Sequence, residues 1–206
     1  MSRFEFDPSD PVPTVGGNID SGKHLVPRGA QQQVPRPDHP FASDVLPLNA
    51  RHDVLSFETP ALTKPMEVTG PVQVSLWVSS EAKDTDFTGK LIDVYPPSHD
   101  YPEGFAMNLE DGIARMRFRH ARSKEELMEP GAVYPVTIDL WAISNRFEKG
   151  HRIRLDLSSS NFPMYDVNPN TGEPIGKHTH LKKTINTVHH GGDYPSCLVL
   201  PVRGED

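Results

Sequence analysis

From Arg51 onward, apolar and polar residues alternate with a period of two. Val72, Val74, Leu76 and Val78 alternate with Gln73, Ser75, Trp77 and Ser79. Ala114, Met116 and Phe118 alternate with Arg115, Arg117 and Arg119. Val136, Ile138, Leu140 and Ala142 alternate with Pro135, Thr137, Asp139 and Trp141, and Ile153, Leu155 and Leu157 with Arg152, Arg154 and Asp156. Successive side chains of a strand point to opposite faces, so each series predicts a half-buried strand. Residues 53–58, 90–95 and 197–202 are further strand candidates. Turn residues at Thr69-Gly70-Pro71, Pro96-Pro97, Asp111-Gly112, Pro130-Gly131 and Lys149-Gly150 separate the runs. Helical turns are expected only at Ser123–Glu129 and Asn145–Lys149. Ser123 and Glu126 have capping-box spacing, but Pro130 stops that helix after about two turns. Roughly eight short strands predict an all-β chain with two antiparallel sheets face to face, a jelly-roll β-sandwich.

Residues 1–50 break the pattern. Pro8, Pro11, Pro13, Pro27, Pro35, Pro37, Pro40 and Pro47 punctuate them, with Gly16-Gly17 and Gly22 between. Proline lacks the ladder donor, so no central strand is expected. Phe4, Phe6, Val12, Val15 and Phe41 favour an ordered arm laid on a surface over a solvated linker. The chain therefore divides into an extended Pro-rich arm, 1–50, and the sandwich, 51–206.

Composition narrows the function classes. The 206 residues suffice for one core, and the 21 prolines and 15 glycines suit short strands and long loops. The formal net charge of −7 argues against general nucleic-acid binding, which needs a basic face. With one cysteine, Cys197, no internal disulfide forms. Met1–Asp10 has no apolar signal region, and no run approaches the roughly 20 apolar residues of a membrane span. A cytoplasmic chain without a membrane partner is the expectation.

Several clusters hold residues that could carry chemistry. Ser158-Ser159-Ser160 follows a strand but lacks the flanking glycines of a Gly-x-Ser-x-Gly nucleophile elbow, so its hydroxyls are expected to pair with backbone. Cys197 lies in an apolar run and is read as a small core residue. His178 with His180, and His189 with His190, have spacings open to zinc, but without an accompanying Cys pair or His-Glu-x-x-His they read as surface-loop residues. Asp84-Thr85-Asp86 resembles a piece of a calcium loop whose later ligands are missing, and a turn held by local backbone bonds is the simpler reading. Arg115, Arg117 and Arg119 are expected to pair across strands with acidic residues, anion binding being the alternative. Trp77, Trp141, Tyr134 and Tyr165 would form a carbohydrate platform if exposed together, whereas packing is the more ordinary use. No catalytic, cofactor-binding or metal residue is assigned, and no cofactor is expected.

Several strings occur together in a telling order: Asp10-Pro-Val-Pro-Thr-Val-Gly-Gly17, Asp53-Val-Leu55, Glu67-Val-Thr-Gly-Pro-Val72, Asp84-Thr-Asp-Phe-Thr88, Lys90-Leu-Ile-Asp-Val94 and Gly112-Ile-Ala-Arg-Met-Arg117. Ser144-Asn145, Gly150-His-Arg-Ile-Arg154, Ser158-Ser-Ser-Asn-Phe-Pro163, Asn168 to Gly172, Pro195-Ser196 and Leu198-Val-Leu-Pro-Val202 follow. This order resembles the C-terminal region of the CocE/NonD serine hydrolases, the cocaine esterase-like enzymes related to Xaa-Pro dipeptidyl-peptidases. The resemblance implies a galactose-binding-like jelly roll that ends a three-domain enzyme. The Ser-Asp-His triad of that family lies in the α/β-hydrolase domain, and no residue here matches its elbow. The expected function is thus a non-catalytic module that packs on a catalytic domain, shapes its active-site entrance and supports assembly. The parent reaction would be ester or amide hydrolysis through an acyl-serine. A stand-alone carbohydrate-binding or interaction module is the alternative. A face left without its hydrolase domain would also favour a homo-oligomer.

Overall fold

A computed structural model describes residues 1–19, 26–174 and 176–204. The described residues form nine strands, β1 (Ser2–Phe6), β2 (Leu55–Glu58), β3 (Met66–Ser80), β4 (Asp86–Tyr95), β5 (Phe105–Arg115), β6 (Tyr134–Phe147), β7 (Arg152–Ser158), β8 (Thr184–His189) and β9 (Cys197–Val199), with 3-10 turns at Leu48–Ala50 and Met116–Phe118. One sheet has the order β1-β8-β3-β6, with β9 also paired to β3, and the other has the order β2-β7-β4-β5. Every strand pairing is antiparallel. This interleaving of early and late strands is the jelly-roll order.

The inward faces follow the alternation. Val72, Val74, Leu76, Val78, Ile138 and Leu140 of one sheet meet Phe87, Leu91, Ile153, Leu155 and Leu157 of the other in one continuous core. Between the sheets β5 passes so close to β6 that a Cβ on Gly112 would drive into the Asp139 carbonyl and crowd Ile138 and Leu140. Only glycine fits there.

Several sequence expectations need correction. The arm contains a strand: Phe4 and Phe6 of β1 are buried in the core, and Pro8 follows just beyond the ladder. Thr69-Gly70-Pro71 and Asp111-Gly112 are not turns but lie within β3 and β5. β3 tolerates Pro71 because the register to β6 shifts between Pro71 and Gln73. Opposite that step, Trp141 takes a φ of 63°. The extra residue flips the side-chain sense of β6, so Ala142 faces solvent and Phe147 faces inward. Neither expected helix forms. Ser123–Glu129 is an irregular loop whose Glu126 and Met128 N–H groups bond the Arg117 and Lys83 carbonyls, and Asn145–Phe147 completes β6. β5 ends at Arg115, and Met116–Phe118 forms a 3-10 turn, so the three arginines do not share one strand face.

The second sheet is covered on both sides, which the alternation of β7 did not foretell. Arg154 and Asp156, read as solvent-facing, are 5% and 7% exposed. Their cover includes residues from 12–19 and 26–48, Val12 and Leu48 lying beside Asp156. Thr14 N–H donates to the Phe162 carbonyl, Gln33 N–H to the Ala106 carbonyl, and Leu48 N–H to the Gln33 carbonyl. Val12, Val15, Leu48 and Val54 form a small second core of their own.

Candidate functional site

The most developed polar cluster sits where β3 turns into β4. Asp84 and Asp86 are 0% and 1% exposed. Arg117 donates to Asp84 through Nε at 2.8 Å and through its backbone N–H at 3.0 Å. Arg115 grips Asp86 through Nη2 at 2.8 Å and Nε at 3.1 Å, and also reaches Asp166 at 3.1 Å. The Asn168 amide donates to both aspartates, each at 2.8 Å. Arg117 extends further, to the Glu173 carbonyl at 2.8 Å and to Glu125 at 3.3 Å. Two carboxylates thus clasp the segment 115–125 and residues 161–174 to the sandwich. Burial pushes the Asp86 carboxyl up to about 6, although the Arg115 hydrogen bonds pull it down. Local turn bonding does not describe Asp84-Thr85-Asp86, because its partners lie far along the chain. The arginine pairing with acids holds, and Arg115 stands directly opposite Asp86 in the β4–β5 ladder. Arg119 pairs with Glu126 at 2.9 Å and lies 4.4 Å over the Tyr134 ring.

A second polar cluster lies between the arm and the second sheet. Lys90 Nζ donates to Gln33 Oε1 at 2.9 Å, and Gln33 Nε2 donates to the Val15 carbonyl at 3.0 Å. Asp156 accepts from Ser56 Oγ at 2.7 Å and stands 3.2 Å from Arg154 Nε. Asp111 accepts from the Asn161 amide at 3.2 Å and from Tyr165 Oη at 3.1 Å. Burial lowers the Lys90 ammonium and raises the Asp156 carboxyl, each costing the charged form its solvent.

The candidate nucleophiles take structural places. Ser158 Oγ donates to the Asp53 carbonyl at 2.7 Å, and Ser160 Oγ accepts the Val12 N–H at 2.9 Å. Ser159 Oγ accepts from the Asn186 side chain instead of backbone, at 2.7 Å. Cys197 lies on a strand as expected but is exposed, because β9 turns it to the outside while Leu198 faces the core. His178 and His180 are exposed, whereas His189 and His190 bond Ser79 and Ser2 at 2.9 and 3.0 Å. Among the described residues no three His, Cys, Asp or Glu side chains gather in a metal-binding arrangement.

A histidine–carboxylate pair escaped the sequence reading. His151 Nδ1 lies 2.8 Å from Asp93 Oδ1, and the Tyr95 ring packs 4.2 Å from the imidazole. Asn145 completes the cluster, 3.4 Å from Asp93 Oδ2. Burial raises the Asp93 carboxyl while the His151 hydrogen bond lowers it. Asp93 and His151 stand on separate strands and turns, and no local motif links them.

The four aromatic candidates do not form a platform. Trp77 packs 5.4 Å from Tyr194, Tyr134 lies under Arg119, and Tyr165 bonds Asp111. Trp141 stands alone on the bulge with 67% exposure. It sits five residues along the sheet from Trp77, about 17 Å at strand rise. On the open side of the sandwich an apolar cleft of about 460 Å³ runs between the sheets. Phe57, Leu155 and Leu157 line one wall and Leu76, Leu198 and Leu200 the other. Val45 and Leu46, adjacent on the arm, are 51% and 57% exposed.

These features define a β-sandwich module: a jelly roll stapled by buried ion pairs, with its serines tied into structure and apolar side chains left on its surface. Residues 12–199 match the X-Pro dipeptidyl-peptidase C-terminal non-catalytic domain, and the chain belongs to that family. It is 43% identical over 201 residues to the cocaine esterase of Rhodococcus sp. (strain MB1 Bresler), a match covering 97% of this chain and 32% of the esterase. An α-amino acid ester hydrolase shares the fold with a TM-score of 0.79 and 29% identity, over 98% of this chain and 32% of that one. An aminopeptidase from the marine sediment archaeon Thaumarchaeota archaeon matches with a TM-score of 0.79 and 26% identity, over 98% and 33%. The chain therefore spans about a third of the length of the relatives it matches.

Proposed function

We propose that this domain packs on the catalytic domain of an α/β-hydrolase, shapes the entrance to its active site and supports its assembly. The reaction served is hydrolysis of an ester or amide through an acyl-serine. One observation carries this reading: nearly all of the chain matches a non-catalytic domain, yet it accounts for only a third of each hydrolase it resembles. The exposed apolar residues Val45 and Leu46 and the cleft beside Phe57 support it as surfaces fit for burial against another domain. Residues 1–50 would act as the connector from that domain, and the hydrogen bonds of Thr14, Gln31 and Gln33 hold those residues on the sandwich.

The test is reconstitution. The hydrolase portion of a cocaine esterase-like enzyme, expressed without its C-terminal third, is mixed with this chain. Co-elution as a 1:1 complex with a raised kcat/KM for a p-nitrophenyl ester is the expected result. Separate elution together with full activity of the hydrolase portion alone would overturn the proposal.

A further inference from the structure

We propose that the seam between the arm and the second sheet is a built site for one water molecule, which joins Lys90 to Asp156 and Asn161. The space is a pocket of about 20 Å³ lined by Val12 and Leu48 from the arm and by Val54, Lys90, Asp156 and Asn161 from the sandwich. A water needs roughly 10–15 Å³ of such space and two to four polar partners. The volume suffices, and two of the lining residues carry an unpaired buried oxygen. Asp156 Oδ2 and Asn161 Oδ1 are fully buried, and neither has a hydrogen-bond partner among protein groups. The other polar atoms of these residues are already committed. Asp156 Oδ1 takes the Ser56 hydroxyl, and the Asn161 amide nitrogen donates to Asp111. Lys90 carries three N–H bonds and donates one to Gln33 Oε1.

The chemistry of the partners selects the ligand. Two oxygens require donors and the ammonium requires an acceptor. A water supplies two donors and accepts from Lys90. A metal cation would satisfy the oxygens but face the ammonium directly, and an anion would face the Asp156 carboxylate. An uncharged, hydrogen-rich molecule of minimal size is what remains. Its consequence is that the arm is joined to the sheet by a polar bridge in addition to the contacts of Val12 and Leu48, so filling the cavity with carbon would weaken the seam.

The experiment is a crystal structure of the full chain at about 1.5 Å, with thermal unfolding of Val12→Ile alongside. Val12 lines the cavity, and the added methylene competes for its space. The expected result is a single density peak at hydrogen-bond distance, about 2.7–3.2 Å, from Lys90 Nζ and from at least one of the two unpaired oxygens. Val12→Ile should then lower the Tm by several degrees. No peak overturns the proposal. So does a peak with metal-like distances of about 2.0–2.6 Å to several oxygens. A Tm for Val12→Ile equal to or above that of the parent chain, as filling a dry cavity would give, also overturns it.

Discussion

Removing the Arg117 guanidinium should be among the most damaging single changes available to this domain. Arg117 is 1% exposed and its partner Asp84 is 0% exposed. In Arg117→Met the stem is largely conserved, but Asp84 keeps only the residue 117 backbone N–H and the Asn168 amide as donors. The Glu173 carbonyl and Glu125 lose a donor as well. Breaking a buried pair from one side costs about 3–5 kcal/mol, because the remaining charge is uncompensated. Domain stabilities are typically about 5–15 kcal/mol, so most of the margin is at stake. Guanidinium unfolding at pH 7 should show a midpoint lowered by that free energy with little change in slope. Asp84→Leu should also destabilise strongly. The double variant Arg117→Met/Asp84→Leu should be less damaged than the sum of the singles by at least about 2 kcal/mol, since neither charge is then stranded. Additive singles, or a cost below about 1 kcal/mol for Arg117→Met, would refute the idea that this pair is the clasp for residues 161–174.

Three shorter predictions follow. The Asp86 carboxyl sits near 6 in the folded protein, above its ordinary value of 3.8, so the folded state holds the extra proton between those values. The parent chain should therefore gain stability relative to Asp86→Asn as pH falls from 7 to about 4.5, by about 2 kcal/mol from the size of the shift; urea midpoints across that range would refute this if the difference stayed constant or reversed. Gly112→Ala should cost more than about 3 kcal/mol or prevent folding, because its Cβ meets β6 backbone that cannot yield, while Gly204→Ala, with open space around it, should be neutral in the same urea titration. Trp141→Gly should leave the isolated domain as stable or raise its Tm by a few degrees, since φ of 63° is strained for tryptophan and the ring is largely exposed; a clear loss would mean the ring packs in a way this account lacks.

The strands that the sequence revealed are those with one dry face and one wet face. Val72 to Val78 and Val136 to Leu140 alternate because solvent lies on one side only. β4 is buried on both faces, so Lys90 and Asp93 sit in an element with no clean period. β8 hid for a related reason: Thr184 and Asn186 are buried and bond Ser80, Thr85 and Ser159, so polar residues occupy inward positions. β1 offered only Phe4 and Phe6, too few repeats to outweigh the prolines that follow. The ion-pair clasp was visible as separate parts, the Asp84-Thr85-Asp86 string and the arginine series, but not as a unit. Asp84 and Arg117 are brought together by the β4–β5 ladder, and Asn168 by a loop that no periodicity describes. The absence of a Gly-x-Ser-x-Gly elbow, by contrast, is a local property and was fully legible.

The proposed role is that of a domain serving a hydrolase without itself performing the chemistry. Release of p-nitrophenol from p-nitrophenyl butyrate by the purified chain alone, at micromolar concentration and pH 7.5, tests this most directly. The predicted rate is indistinguishable from buffer at every protein concentration. A rate that rises in proportion to the chain and is abolished by a serine-directed fluorophosphonate would contradict it.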